Sequence, residues 1–155
     1  MVVFLLVASR SAAPPPSPPD ASSEEPRASR ADAAPRLLIV DDEHDLRRLL
    51  GELLADSGWQ VVEAEDGEQA LAHLARERFD VVLLDHRMPG LSGGDVFRRL
   101  RAAGDETPVI LMTAARDVRE LARSLGVPRF LGKPFDLDEL LAAVRELALP
   151  PPETH

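Results

Sequence analysis

The feature that most constrains the fold of this chain is a repeated switch between two hydrophobic periods. Five short runs of consecutive apolar residues predict buried strands, because a strand covered on both faces loses the polar alternation of a half-exposed one. These runs cover residues 36–40, 60–63, 80–84, 108–112 and 129–131. Each run is followed by a segment with apolar residues at helical spacing, so the predicted order is strand then helix, five times.

The first and last of these helices carry the clearest signals. The first has an apolar stripe at spacings of three and four residues, formed by Leu46, Leu49, Leu50, Leu53 and Leu54. The last begins at Asp136, which we expect to be its N-cap, with Glu139 three residues later as the partner in a capping box.

This element order predicts an α/β fold. Strands that are buried on both faces and alternate with helices indicate a parallel sheet between two helical layers. Right-handed crossovers leave few topologies, and we expect a doubly wound (βα)5 three-layer sandwich with the five-stranded parallel sheet in the order 2-1-3-4-5. In such folds ligands bind at the carboxyl ends of the strands.

Proline marks the limits of the predicted domain. Of 14 prolines, seven precede Arg36 and three occupy 150–152. We expect 1–35, rich in Pro, Ala and Ser, to be a disordered tail, 36–148 to be one domain, and 149–155 to be a short C-terminal tail. The apolar residues at the N-terminus are few for a signal peptide, and no positively charged segment precedes them.

Composition excludes several classes of function. The 155 residues carry a net charge of −9 and include no cysteine, which excludes disulfides, thiolate catalysis and cysteine zinc sites. The acidity argues against direct nucleic-acid binding. No segment approaches the roughly 20 apolar residues of a membrane span, and we expect a cytoplasmic protein.

Polar side chains stand where the predicted strands end. Asp41 and Asp42 follow the first strand, Asp85 the third, Thr113 the fourth and Lys133 the fifth. Crowded carboxylates repel one another unless a cation lies between them, and oxygen ligands of this kind suit Mg²⁺. With such a metal, one carboxylate can act as a nucleophile while an ammonium and a hydroxyl meet an incoming phosphoryl group. The pattern suits phosphoryl transfer onto an aspartate.

The residue that carries the ammonium group, Lys133, is unusual in the composition of this chain. Lys133 is the only lysine in the chain, since the other seventeen basic residues are arginines. A compact point charge fits beside a single phosphoryl oxygen better than a planar guanidinium does.

Four motifs carry a family resemblance. They are LLIVDDE at 37–43, VVLLDHRMPGLSG at 81–93, PVILMTA at 108–114 and FLGKPF at 130–135. In this order and at this spacing they resemble the receiver domain of bacterial two-component response regulators. The resemblance covers 36–148 from end to end.

The resemblance implies a role for each polar residue. Asp85 would be the phosphoacceptor, with the hydroxyl of Thr113 and the ammonium of Lys133 meeting its phosphoryl group. A Mg²⁺ ion would be held by the following ligands: the carboxylates of Asp41, Asp42 and Asp85 and the backbone carbonyl of Arg87. Phe130 would change rotamer together with Thr113.

The resemblance also implies a function without enzymatic turnover of a substrate. It indicates a phosphoacceptor domain whose only chemistry is self-phosphorylation and autodephosphorylation, and we expect this domain to be a stand-alone one because 155 residues leave no room for an output domain. A histidine kinase or phosphotransfer protein would be the donor. A downstream protein would be bound through the face of helix 4, strand 5 and helix 5, and a homodimer would use the same kind of surface.

Several positions depart from the usual family pattern. His86, next to the phosphoacceptor, is expected to be a partly buried, hydrogen-bonded side chain without a catalytic role. Arg87 is expected at the entrance to the site, where it could alter the lifetime of the acyl phosphate. Ala115 offers no polar group there. The interval from Thr113 to Lys133 is about two residues shorter than is usual, which should shorten helix 4 or the loop before it.

Two other functions remain open from the residues. A haloacid dehalogenase-like phosphohydrolase would use Asp41 as nucleophile, but it needs an aspartate two residues later, where Glu43 stands. A phosphorylation-independent interaction module would keep the fold without the chemistry.

Overall fold

The computed structural model describes residues 34–148. Strands and helices alternate in this part of the chain, and we number them β1 to β5 and α1 to α5. The strands are β1 Arg36–Val40, β2 Gln60–Ala64, β3 Val81–Asp85, β4 Val109–Ala114 and β5 Arg129–Lys133. The helices are α1 His44–Asp56, α2 Gly67–Arg76, α3 Gly93–Ala102, α4 Val118–Leu125 and α5 Leu137–Ala148. The predicted tails, apart from Ala34 and Pro35, lie outside the described residues.

The five strands form one parallel sheet in the order β2-β1-β3-β4-β5. This confirms the predicted α/β fold and its strand order. The register aligns the carboxyl ends of the strands: Asp85 pairs with Met112, and Thr113 pairs with Gly132. The polar residues that end the strands are therefore brought to one edge of the sheet.

Four strands end one or two residues later than predicted, including β2, which runs to Ala64. β3 includes Asp85, β4 runs past Thr113 to Ala114, and β5 includes Lys133. The sheet continues because backbone pairing continues, as where the N–H of His86 donates to the carbonyl of Met112 over 2.9 Å. These side chains therefore project from the sheet itself, which holds them more rigidly than a loop would.

Two apolar layers cover the sheet. The layer with α1 and α5 includes Ile39, Leu83 and Leu140, and the layer with α2, α3 and α4 includes Leu38, Leu84 and Leu111. Successive residues of a strand thus enter opposite layers, which explains why the central strands carry uninterrupted apolar runs. Among residues 34–148, none of the helices has the length and apolar content needed to cross a bilayer.

The stripe predicted for α1 is partly wrong. Leu50 and Leu54 are buried as expected, but Leu49 is 53% exposed. Arg47 is buried with Gly51 on the same face instead. The helix turns this face inward because the Arg47 guanidinium binds polar groups at the end of β1, which an apolar-periodicity argument does not detect.

Side-chain caps fix the start of α3 and α5. Ser92 accepts a hydrogen bond from the N–H of Asp95, and the Asp95 carboxylate accepts one from the N–H of Ser92. Asp136 and Glu139 make the same reciprocal pair, with distances of 2.8 and 3.1 Å. The second pair confirms the predicted capping box.

The segment between β4 and β5 is short. A 3-10 turn, Ala115–Asp117, leads directly into the eight residues of α4. Gly126 follows with a φ of 73°, a left-handed conformation that favours glycine at a helix end. None of the α4 residues is fully buried, whereas α3 buries five, so α4 is the more loosely packed of the two.

Candidate functional site

Three carboxylates meet at the carboxyl edge of the sheet. Asp41, Asp42 and Asp85 each offer an oxygen, and these oxygens lie within 4.8 Å of one another. Asp41 and Asp85 are buried, while Asp42 is exposed. The sequence prediction that these side chains lie close together is thus met by the geometry.

Asp41 presents one free oxygen to this cluster. Its Oδ1 accepts a hydrogen bond from the N–H of Glu43 over 2.9 Å. Its Oδ2 is fully buried and has no hydrogen-bond partner. A buried carboxylate oxygen without a partner costs free energy unless a cation or a donor reaches it.

Lys133 lies against the same carboxylates. Its Nζ donates to Oδ1 of Asp85 over 3.1 Å and lies 3.7 Å from Oδ2 of Asp41. Burial alone would lower the pKa of Lys133, but the charges of Asp85 and Asp41 outweigh that effect and raise it. The ammonium is therefore fully charged at neutral pH.

The environment of Asp85 favours its protonated form. Burial raises the pKa of Asp85, and the nearby charge of Asp41 raises it further, to about 6. Lys133 acts in the opposite direction and only partly offsets these effects. A divalent cation between the carboxylates would stabilise the ionised, nucleophilic form.

Thr113 and Phe130 lie on one face of the sheet. Thr113 is 2% exposed, and its Oγ1 has no hydrogen-bond partner. Thr113 pairs with Gly132 and Leu111 pairs with Phe130, so both side chains point to the α4 side. Phe130 is half-buried and packs on that apolar layer. The hydroxyl is thus available to a new acceptor at the strand end.

An open cleft of about 620 Å³ leads to Asp85. Asp42, Thr113 and Lys133 line its polar part, and Leu46 and Phe135 contribute apolar walls. The cleft gives a phosphodonor access to the buried carboxylate.

Arg87 stands at the side of this cleft. It is exposed, and its guanidinium donates to Oδ2 of Asp117 over 3.0 Å. Asp117 closes the 3-10 turn that leads into α4. The guanidinium of Arg87, which we expected at the entrance to the site, therefore binds the residue that precedes α4.

His86 has the structural role expected of it. Its Nδ1 accepts a hydrogen bond from the N–H of Gly94, in the first turn of α3, over 3.2 Å. Burial lowers the pKa of His86, and the neighbouring charge of Arg87 lowers it further. The neutral ring thus helps to cap α3.

The donor set suits a hard divalent cation. It consists of carboxylate oxygens, one of them buried without a hydrogen-bond partner, next to an open cleft. Mg²⁺ takes oxygen ligands from one or two carboxylates and keeps several waters, which an open site allows.

Two residues near the site were not singled out from the sequence. Arg47 and Asp117 contact Asp41 and Arg87 respectively. The Arg87–Asp117 pair joins residues 30 positions apart. The sequence signal for Arg47 was a charge three and seven residues before Leu50 and Leu54, on the helix face that they share.

Comparisons with known proteins agree with this geometry. Residues 37–145 match the family described as response regulator receiver domain. The chain is 43% identical over 114 residues to the response regulator MprA of Mycolicibacterium vanbaalenii, covering 72% of this chain and 49% of that protein. MprA of Mycobacterium leprae matches equally, with 50% of its length covered. The chain thus spans about half the length of these curated relatives.

Solved structures give the same result. The receiver domain of the Francisella response regulator 1452 superimposes with a TM-score of 0.70 at 29% identity, covering 74% of this chain and 96% of that one. The response regulator TrrA of Thermotoga maritima, solved in complex with Mg²⁺-BeF, gives 0.67 at 37% identity, covering 73% and 98%. Because the family match extends over most of the chain and the fold agrees, this chain belongs to the response regulator receiver domain family, a family of signalling domains of two-component systems.

Proposed function

We propose that this chain accepts a phosphoryl group on Asp85 from a histidine kinase or phosphotransfer protein, in a Mg²⁺-dependent reaction. The observation that carries the proposal is the arrangement around Asp85. Two further carboxylates lie within 4.8 Å, and the only lysine of the chain donates to Asp85 over 3.1 Å. The presence of Mg²⁺-BeF in the TrrA structure supports the same chemistry.

The transfer replaces one bond to phosphorus by another. An ionised carboxylate oxygen of Asp85 attacks the phosphorus, and the bond from phosphorus to the donor's histidine nitrogen breaks, its electron pair staying on that nitrogen. Lys133 balances the charge of the phosphoryl oxygens, and the free hydroxyl of Thr113 donates to one of them. The same groups remain in place for the later hydrolysis, in which water attacks the phosphorus, the bond from phosphorus to the Asp85 oxygen breaks, and inorganic phosphate leaves with the Asp85 carboxylate regenerated.

The acidic cluster and the backbone carbonyl of Arg87 would hold the metal. Asp41 and Asp42 supply carboxylate oxygens, and Asp85 contributes a further one. When bound, Mg²⁺ keeps the carboxylates ionised and neutralises charge on the transferred group. The buried Oδ2 of Asp41 supports this assignment, because it has no hydrogen-bond partner and its ion-pair contact with Lys133 is a long one of 3.7 Å.

Phosphorylation would change a protein-binding surface. The new charge at Asp85 would attract the Thr113 hydroxyl and alter the packing of Phe130, which lies on the α4 side of the sheet. The face formed by α4, β5 and α5 would then bind a downstream protein or a second copy of the chain.

Incubation with acetyl phosphate and Mg²⁺, followed by intact-mass measurement, tests the proposal. The wild type should gain one phosphoryl group and Asp85→Ala none. Asp45→Ala, which removes an exposed carboxylate of α1, is the matched control and should behave as the wild type. Lack of phosphorylation in the wild type would contradict the proposal and favour a phosphorylation-independent interaction module.

A further inference from the structure

Between residues 34 and 148, Arg47 is the one buried charged residue that the proposed chemistry does not use. Within residues 34–148 the buried polar or charged side chains are Asp41, Arg47, Asp85 and Thr113. Three of these belong to the site. Burial of a guanidinium is costly unless its donors are satisfied, so its contacts indicate its role.

The three nitrogens of the guanidinium contact three different segments near the site. One terminal nitrogen donates to the backbone carbonyl of Asp41 over 2.8 Å. Nε donates to Oε1 of Glu63 on β2 over 2.9 Å. The other terminal nitrogen lies 3.2 Å from Nδ1 of His44. Arg47 thus ties the start of α1 and the end of β2 to Asp41, the residue that follows β1.

These contacts fix the backbone of Asp41 on both sides. Its N–H donates to the carbonyl of Ala64 over 3.2 Å, and its carbonyl accepts from Arg47. Its Oδ1 is held by the N–H of Glu43. The Oδ2 of Asp41 has no hydrogen-bond partner, and the peptide that leads to Asp42 is the one whose carbonyl Arg47 holds.

We infer that Arg47 is a positioning residue for the cation site: by holding the Asp41 carbonyl, it places the carboxylates of Asp41 and Asp42 for the metal. This inference rests on the proposed function. The inference predicts that Mg²⁺ affinity changes in the direction opposite to the one that charge alone would give. As a cation near an acidic site, Arg47 opposes metal binding by charge alone, so its removal would strengthen binding if charge were its only effect. A positioning role requires that its removal weaken binding, as the loss of groups that orient metal ligands does.

Calorimetric titration of the whole chain with Mg²⁺ separates these effects. Arg47→Met keeps the bulk of the side chain and removes the charge, and it should weaken Mg²⁺ binding about tenfold. Arg48→Met is the matched control, because Arg48 is its exposed neighbour on α1. It loses the same charge but no contact with Asp41, and its Mg²⁺ affinity should stay the same or rise slightly.

A second variant keeps the charge. Arg47→Lys retains a cation at this position but cannot reach three acceptors at once, and it should also weaken Mg²⁺ binding. It serves as the test if Arg47→Met does not fold. Circular dichroism should show that each titrated variant is folded at the temperature used, since a role limited to stability would lower the melting temperature and leave the affinity unchanged.

The outcomes distinguish the inference from the proposed function. If the wild type binds Mg²⁺ and the folded Arg47 variants bind it equally well or more tightly, the inference is wrong and the proposed function stands. If the wild type binds no Mg²⁺, the proposed magnesium site fails, and the inference fails with it.

Discussion

Asp85 is a carboxylic acid whose surroundings oppose its ionisation when no metal is bound. Its folded-state pKa is about 6, against an ordinary value of 3.8. Between these values the folded chain holds a proton that the unfolded chain has released, so the free energy of unfolding rises as the pH falls through about 6. Above that pH, the ionised Asp85 costs up to about 3 kcal/mol of stability.

The Asp85→Asn variant tests this cost. In EDTA it should have a higher free energy of unfolding than the wild type at about pH 8, and the difference should shrink as the pH falls through 6 and vanish near pH 4. Urea unfolding at a series of pH values measures it. Asp45→Asn, at an exposed site, should leave the pH profile unchanged. A pH-independent difference for Asp85→Asn would contradict the assigned environment.

The ion pair of Arg87 and Asp117 gives a second prediction at this scale. If Arg87 turns from Asp117 to the phosphoryl group, it shields that group from water and stabilises its charge. Arg87→Ala should then shorten the half-life of the acyl phosphate by up to about fivefold, the range of an exposed ion pair. Asp117→Asn, which frees the guanidinium, should lengthen it.

Decay of phosphorylated protein after removal of the donor measures both half-lives. Arg123→Ala, which removes an exposed arginine of α4, is a suitable control, whereas Arg116 lies 4.0 Å from Asp117 and belongs to the same group of charges. Equal half-lives in the Arg87, Asp117 and wild-type proteins would rule out this role for Arg87.

Sequence reasoning located the polar strand ends but not the contacts that orient them. Asp41, Asp85 and Lys133 could be grouped because parallel strands end at one edge of a sheet. The bond from Arg47 to the Asp41 carbonyl could not, because an arginine on an amphipathic helix is most often solvated. The Arg87–Asp117 pair depends on how the loop after β3 lies against the turn before α4, and local patterns do not define that arrangement.

At the scale of elements, the close approach of α3 to β3 positions the phosphoacceptor. A Cβ on Gly93 would lie 2.5 Å from the backbone oxygen of Asp85 and 2.8 Å from Cα of His86. These backbone atoms cannot move aside as a flexible side chain can. Because the added methyl group would clash with them, Gly93→Ala should lower the free energy of unfolding by about 2 to 3 kcal/mol.

Gly94 provides the matched comparison. A Cβ there would lie 3.2 Å from Leu125 Cδ1 and 3.3 Å from the His86 ring, both movable side chains. Gly94→Ala should therefore cost less than Gly93→Ala. Denaturant unfolding of the two variants measures the difference, and equal costs would contradict the close packing of α3 against β3.

α4 has the weakest anchoring among the helices from α1 to α5, since each of the others buries at least three residues. Such an element suits a conformational response, because opening it costs little buried surface. Amide hydrogen exchange in Val118–Leu125 should be faster than in α3, and beryllofluoride with Mg²⁺ should change it more in α4 than in α2. An exchange pattern unaffected by beryllofluoride would contradict a response in α4.

For the molecule as a whole, the sequence was sufficient for the fold class and strand order. Five alternations of hydrophobic period and the handedness of crossovers leave few arrangements for a five-stranded parallel sheet, and the order 2-1-3-4-5 is the leading one. It was insufficient for the exact strand ends, which depend on backbone pairing between neighbours such as β3 and β4. It also misplaced Leu49, because the rotation of α1 is set by the polar contacts of Arg47 as well as by its leucines.

The central claim is that Asp85 carries the phosphoryl group. Borohydride reduces an aspartyl phosphate to homoserine, so peptide mass mapping after treatment with acetyl phosphate, Mg²⁺ and borohydride identifies the acceptor directly. The account predicts homoserine at position 85 and unmodified aspartate at positions 41 and 42. Homoserine at position 41, as a phosphohydrolase using Asp41 would give, or no conversion at any aspartate, would contradict it.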